Sequence, residues 1–176
     1  QWLSDSQAAL TLVTTALPYQ IVEDTAMQTG SNPIFAASTQ AYPNFSEFFV
    51  YNAAGQVVSA SDTSQLNKIV SRQPYFNLSL QEATVHPPYF DLASGDLTII
   101  VTHPIRNNNN DIVGALAGKL NLNILSRIMA DRVGLGDTGE TYLVSNENNY
   151  LLTPSRFEGY ELTRAYHSEG IDRALE

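Results

Sequence analysis

A chain of 176 residues with 43% apolar side chains can bury a substantial core and is neither disordered nor fibrous. Eighteen acidic against nine basic residues give a formal charge of −9, which repels phosphate backbones and argues against nucleic acid as a partner. The lack of cysteine excludes disulfides, thiolate metal sites and cysteine nucleophiles, and leaves the compartment open.

From Leu3 to about Met27 the apolar residues Leu10, Val13, Leu17 and Ile21 recur at three- and four-residue steps, the stripe of an amphipathic helix. Pro18 interrupts the pattern and predicts a kink or a short second segment, and the stretch from Gly30 to Pro33 is expected to end the helix. The aromatic run Phe45 to Tyr51, the turn Asn52 to Gly55 and the run Gln56 to Ala60 predict a hairpin. After a polar loop, Leu66 to Val70 reads as a helical turn, and Pro74 opens a short helix reaching about Ala83, which Pro87 and Pro88 close.

Two longer strands follow, Leu97 to Ile105 and Ile112 to Leu122, joined by the asparagine run before Asp111. Asparagine tolerates positive φ, so that run is a hairpin connection rather than low complexity. Leu122 to Val133 is expected to be a connecting helix, Gly134 to Gly139 a turn, Thr141 to Val144 and Tyr150 to Thr153 a hairpin, and Ser168 to Glu176 the start of a helix. The apolar runs fall short of the roughly 20 residues a membrane-spanning helix needs. Gln1 follows no basic-then-apolar leader, so the chain is expected to be an excised piece with its flanks missing.

Most chemical motifs fail on context. The glycines at 134, 136 and 139 match a dinucleotide fingerprint, but a helix precedes them and a strand follows, the reverse of what a pyrophosphate turn requires. Gly114 to Lys119 resembles a phosphate loop yet is one residue short, lacks the hydroxyl after the lysine and lies inside a strand. His86, His103 and His167 are far apart, so no metal is expected. No cofactor is implied, and with no nucleophile elbow and no paired acid and base the domain itself is not expected to be an enzyme.

Four stretches in order carry a resemblance: Arg72 to Tyr75, Pro88 to Asp91, Thr102 to Ile105, and Asp111 to Leu122. With the entry from Gly134 to Val144, they resemble the Cache family, the PAS-like extracytoplasmic sensors of bacterial receptors. The resemblance runs from about Phe45 to Pro154 and implies an α+β fold. It implies a long N-terminal helix over 1–30, a membrane-distal PAS-like ligand-binding lobe over 31–124, and a connecting helix with a partial membrane-proximal lobe over 125–176. A double-Cache form truncated at Glu176 is the expectation, with a complete single lobe as the alternative.

The resemblance also implies a site. Arg72, Tyr75, Tyr89 and Asp91 stand where amine- and amino-acid-binding members carry an arginine, an aromatic residue and a Tyr-x-Asp motif. Pro74 replaces the family's tryptophan and Lys119 its second aspartate, which puts free amino acids in doubt as ligands. The residues themselves agree in part. In the strand from Ile112, alternation puts Leu116 and Leu120 on one face and Ala115, Ala117 and Lys119 on the other, a face of small residues ending in a charge. A lysine within a sheet is costly unless paired, with Asp91 the candidate partner, or unless it snorkels to the surface. His103 is the remaining candidate, and alternation alone does not say whether Thr102 or His103 looks inward.

The expectation is therefore an extracytoplasmic ligand-sensing domain of a histidine kinase, cyclase or chemoreceptor. It would bind a small polar or carboxylate-bearing molecule, be anchored by flanking transmembrane helices, and dimerise through the N-terminal helix. The alternative is a dimerisation ectodomain without a small ligand.

Overall fold

The computed structural model describes residues 1–92, 95–129, 141, 143–145, 149, 151–153, 155 and 165–175. These divide into two compact units, residues 1–89 with 99–121, and residues 90–98 with 122–176. The division differs from the expected 1–30, 31–124 and 125–176: the N-terminal helices pack on the first unit's sheet, and residues 90–98 belong to the second unit.

The N-terminal segment is two helices, not one. Helix α1 (Trp2–Ala16) buries Ser6, Leu10 and Thr14 and stops at Leu17, whose ψ of 131° is the extended conformation that a following proline imposes. A 3-10 turn (Tyr19–Val22) leads to α2 (Thr25–Ala41), capped by the Asp24 carboxylate, which accepts from the Ala26 and Met27 amides. Contrary to expectation, α2 runs straight through Gly30 and Pro33. Its buried face, Ser31 and Phe35 one turn apart, packs on the sheet, and this tertiary burial outweighs the poor local propensity.

Five antiparallel strands form the sheet of the first unit, in the order β2-β1-β7-β6-β3. The hairpin of β1 (Phe45–Asn52) and β2 (Val57–Ala60) turns where the sequence places it. The Asn52 Oδ1 accepts from the Ala54 and Gln56 amides, and Gly55 adopts φ +83°. The expected helical turn at Leu66 to Val70 is instead a 3-10 turn at Thr63–Gln65 followed by a bridge between Ile69 and Gln56. Helix α3 (Phe76–Ser79) is shorter than predicted, and the chain then enters β3 (Thr84–Val85), which the sequence did not reveal.

The strand expected from Leu97 to Ile105 divides at Ile99. Its first part, β5 (Asp96–Thr98), pairs with β4 (Tyr89–Asp91) in a separate two-stranded sheet, while β6 (Ile100–Arg106) pairs with β3 and with β7 (Ile112–Leu120). Between β6 and β7 the asparagine run closes the hairpin, with Asn110 at φ +67° and the Asn107 Oδ1 accepting from two later amides. In the second unit, α4 (Leu122–Met129) begins where β7 ends, Val144 bridges Leu151 in antiparallel fashion, and α5 (Glu169–Leu175) closes the described chain. The glycine turn from Gly134 to Gly139 lies outside the described residues.

Candidate ligand site on the inner sheet face

Strand alternation sorts the central sheet into two faces. On the side covered by α1 and α2 lie Phe48 and Val50 from β1, with Leu116, Gly118 and Leu120 from β7. The opposite, inner face carries Phe49 and Tyr51 from β1, Ala115 and Ala117 from β7, and Ile100 from β6, and residues from Val70 to Tyr89 fold over it.

Tyr75 is the hub of that inner cluster. Only 3% exposed, its ring lies 6.5 Å from Phe49, 6.3 Å from Tyr51, 5.9 Å from His86 and 6.0 Å from Tyr89, centroid to centroid. Tilted and edge-on pairs at such spacings suit the aromatic quadrupole. The small Ala115 and Ala117 leave room for the rings on their neighbours.

Polar groups inside this cluster are paired. The Tyr51 hydroxyl donates to Ser79 Oγ at 2.6 Å, and Ser79 in turn donates to the Phe76 carbonyl. Burial raises the Tyr51 phenol well above its ordinary pKa, outweighing the opposing effect of that hydrogen bond. His86 Nε2 lies 2.7 Å from the Thr102 hydroxyl, and burial pushes the imidazole down to about 4, so the ring is neutral at physiological pH.

The structure brings some predicted residues together and not others. Tyr75 and Tyr89 touch. Lys119 shares the inner face with Ala117 and is half-buried, paired across the strands with Glu47 on β1 and Ile100 on β6. Arg72 lies in the turn before Tyr75 with its side chain exposed. His103 is on the opposite face, in register with Leu116, its Nδ1 within 2.9 Å of the Pro104 carbonyl oxygen; Thr102 is the inward residue. Asp91 is half-buried on β4 and belongs to the second unit.

Sequence reasoning left open whether Thr102 faces inward and did not nominate His86, Ser79 or Glu47 for the site. Alternation from Phe49 and Tyr51 back to residue 47 was the available signal for Glu47; His86 and Ser79 depend on how the segment between Val70 and Tyr89 folds back, which has no local signature. Among the described residues no three histidine, aspartate or glutamate side chains gather as metal ligands, and no helix is long and apolar enough to cross a membrane.

The Cache domain family model matches residues 1–171. This chain is a member of the Cache domain family. Solved Cache-type sensor domains share its fold. The sensory domain of the Campylobacter jejuni chemoreceptor Tlp3 with isoleucine bound superposes with a TM-score of 0.68 at 17% identity, covering 93% of this chain and 67% of that one. The extracellular domain of the putative histidine kinase rpHK1S-Z16 gives 0.61 at 15% identity, covering 72% and 53%. The sensor domain of the V. cholerae histidine kinase DctB gives 0.60 at 13% identity, covering 82% and 53%. The chain thus spans about half the length of the two kinase domains it matches. Among curated protein sequences none matches it.

Proposed function

We propose that this Cache domain is the extracytoplasmic ligand-sensing part of a bacterial transmembrane receptor, a histidine kinase, cyclase or chemoreceptor, and that it is not itself catalytic. Its ligand is a small polar or carboxylate-bearing molecule bound at the inner face of the first unit. The observation that carries this reading is the aromatic cluster centred on Tyr75, in which buried polar groups are paired and a half-buried lysine shares the face. Apolar walls with a few fixed polar groups are the usual make-up of a small-molecule site. Tyr75 and Tyr89 wall the ligand, while Lys119 and Arg72 meet its anionic part. Asp91, in the second unit, is nominated by the family resemblance alone.

Titration calorimetry with acetate, succinate, L-isoleucine and L-valine tests the reading. Binding of a carboxylate that weakens about tenfold, a loss of about 1.4 kcal/mol, in Arg72→Ala or Lys119→Met supports it. No heat from any of the four, or unchanged affinity in both variants, overturns it. Asp91→Ala is measured separately, because its contribution stands on different grounds.

A homodimer along the N-terminal helices completes the proposal. Leu12 and Ile34, 64% and 61% exposed, flank an apolar trough of about 470 Å³ between α1 and α2. Sedimentation equilibrium should show a dimer that Leu12→Glu with Ile34→Glu converts to monomer. A second reading, a dimerisation ectodomain without a small ligand, is favoured by the close ring packing around Tyr51 and Tyr75. The same calorimetry separates the two.

A further inference from the structure

A second hollow, of about 390 Å³, opens between the start of α2 and the β1–β2 hairpin. That size falls within the ~300–1,000 Å³ range of small-molecule sites. Val22, Val57 and Leu66 give it apolar surface, and five carboxamides line it as well: Gln28, Asn32, Asn52, Gln56 and Asn67. Glu23 is the one charged residue among its described lining.

Each carboxamide is held at one end. Asn32 Oδ1 accepts from the Ser59 hydroxyl at 2.7 Å and the Ala60 amide at 3.0 Å. Asn52 Oδ1 accepts from the Ala54 and Gln56 amides, Gln28 Nε2 donates to the Val22 carbonyl, and Gln56 Nε2 donates to Asn67 Oδ1. Backbone partners decide which end is oxygen and which is nitrogen at Asn32, Asn52 and Gln28. The opposite ends carry no further bond among the described residues: NH2 donors on Asn32 and Asn52, a carbonyl acceptor on Gln28, and one NH2 and one carbonyl end from the Gln56–Asn67 pair. These groups are pre-oriented, so a ligand need not freeze them on binding.

We infer that this carboxamide-lined hollow is a binding site for a neutral polyhydroxylated ligand, a sugar or polyol, distinct from the aromatic face. A hydroxyl both donates and accepts, which matches a lining of unbonded NH2 and carbonyl ends. The C–H faces of such a ligand suit Val22, Val57 and Leu66. An anionic ligand would find no cation in the lining, and a cationic one would find Glu23 alone. Neither Tyr75 nor Tyr89 lines the hollow, so the inference stands or falls independently of the proposed sensor site.

The test is NMR of the side-chain NH2 groups on the intact 176-residue chain, titrated with D-glucose, D-ribose and myo-inositol, with succinate and L-lysine as charged probes. The expected result is saturable shifts of the Asn32 and Asn52 NH2 signals with at least one neutral probe and none with the charged ones. Asn32→Asp keeps the acceptor that holds Ser59 and Ala60 but removes the unbonded NH2, and should weaken that binding about three- to tenfold. Asn67→Gly removes a second amide while tolerating the φ of +66° at that position. Absence of saturable shifts with all three neutral probes, equal response to the charged probes, or unchanged affinity in both variants overturns the inference.

Discussion

The two faces of the central sheet both bury polar groups but partner them differently. On the helix side Phe48, Val50, Leu116 and Leu120 meet Leu10 and Phe35, all at most 2% exposed, and the buried hydroxyls of Ser6 and Thr14 donate to α1 carbonyls while Ser31 and Ser59 bond to each other at 2.7 Å. Gly118 belongs to this side because a Cβ there would stand 2.4 Å from the Phe45 ring. On the inner side Thr102 and Ser79 are fully buried and His86 is 5% exposed, and the hydroxyls of Thr102 and Ser79 are bonded to the His86 ring and the Tyr51 phenol. Each of these groups would be costly to bury unpaired, so the inner side depends on keeping both members of each pair. If the inner side is the proposed ligand site, changes on the helix side should cost stability alone and changes on the inner side affinity as well.

The largest effect should come from the helix side. Phe48→Ala removes a fully buried ring and should cost about 3–5 kcal/mol in urea unfolding, with little change in any ligand affinity of the variant that remains folded. A comparable loss of affinity would break the division between the faces.

Acid should act through the inner side. His86 titrates near 4 when folded against 6.5 for the free side chain, so the unfolded chain takes up the proton first as pH falls. The stabilisation is fully present above the unfolded value and is lost as pH drops through that window. Between about pH 7 and pH 4 this group should remove about 2–3 kcal/mol, a loss that His86→Gln should abolish. The difference in pH dependence between parent and variant, by urea unfolding, isolates it from the carboxylates. Equal slopes would mean that the imidazole is not held neutral by its surroundings.

How much of this was legible depended on whether a signal was local. The β1–β2 hairpin announced itself through Asn52 and Gly55, and the β6–β7 hairpin through its asparagines, because turn geometry is written in the turn residues. The run through Gly30 and Pro33 misled, since the burial of Phe35 that keeps α2 intact is a tertiary fact. Likewise Tyr75 and Tyr89 could be nominated by family resemblance, whereas His86 required knowing that β3 folds against β6 and brings it to Thr102. His103 shows the limit of alternation: the period of two separates neighbours onto opposite faces but does not name the inner one.

The smallest predicted effect is the most discriminating for the inner face, because it asks whether a hydroxyl there matters for itself or for the partner it satisfies. Tyr51→Phe removes the phenolic donor but leaves Ser79 donating to the Phe76 carbonyl, and should cost about 0.5–1.5 kcal/mol. Ser79→Ala strands the Tyr51 hydroxyl in a site where the ring is 0% exposed, and should cost about 1–3 kcal/mol despite alanine's better helix propensity. The double variant has no stranded donor and should be less destabilised than Ser79→Ala alone, a coupling that urea unfolding of the four proteins reads directly. Simple additivity would show that water reaches the phenol after all, and the inner face would then be wetter than its packing indicates.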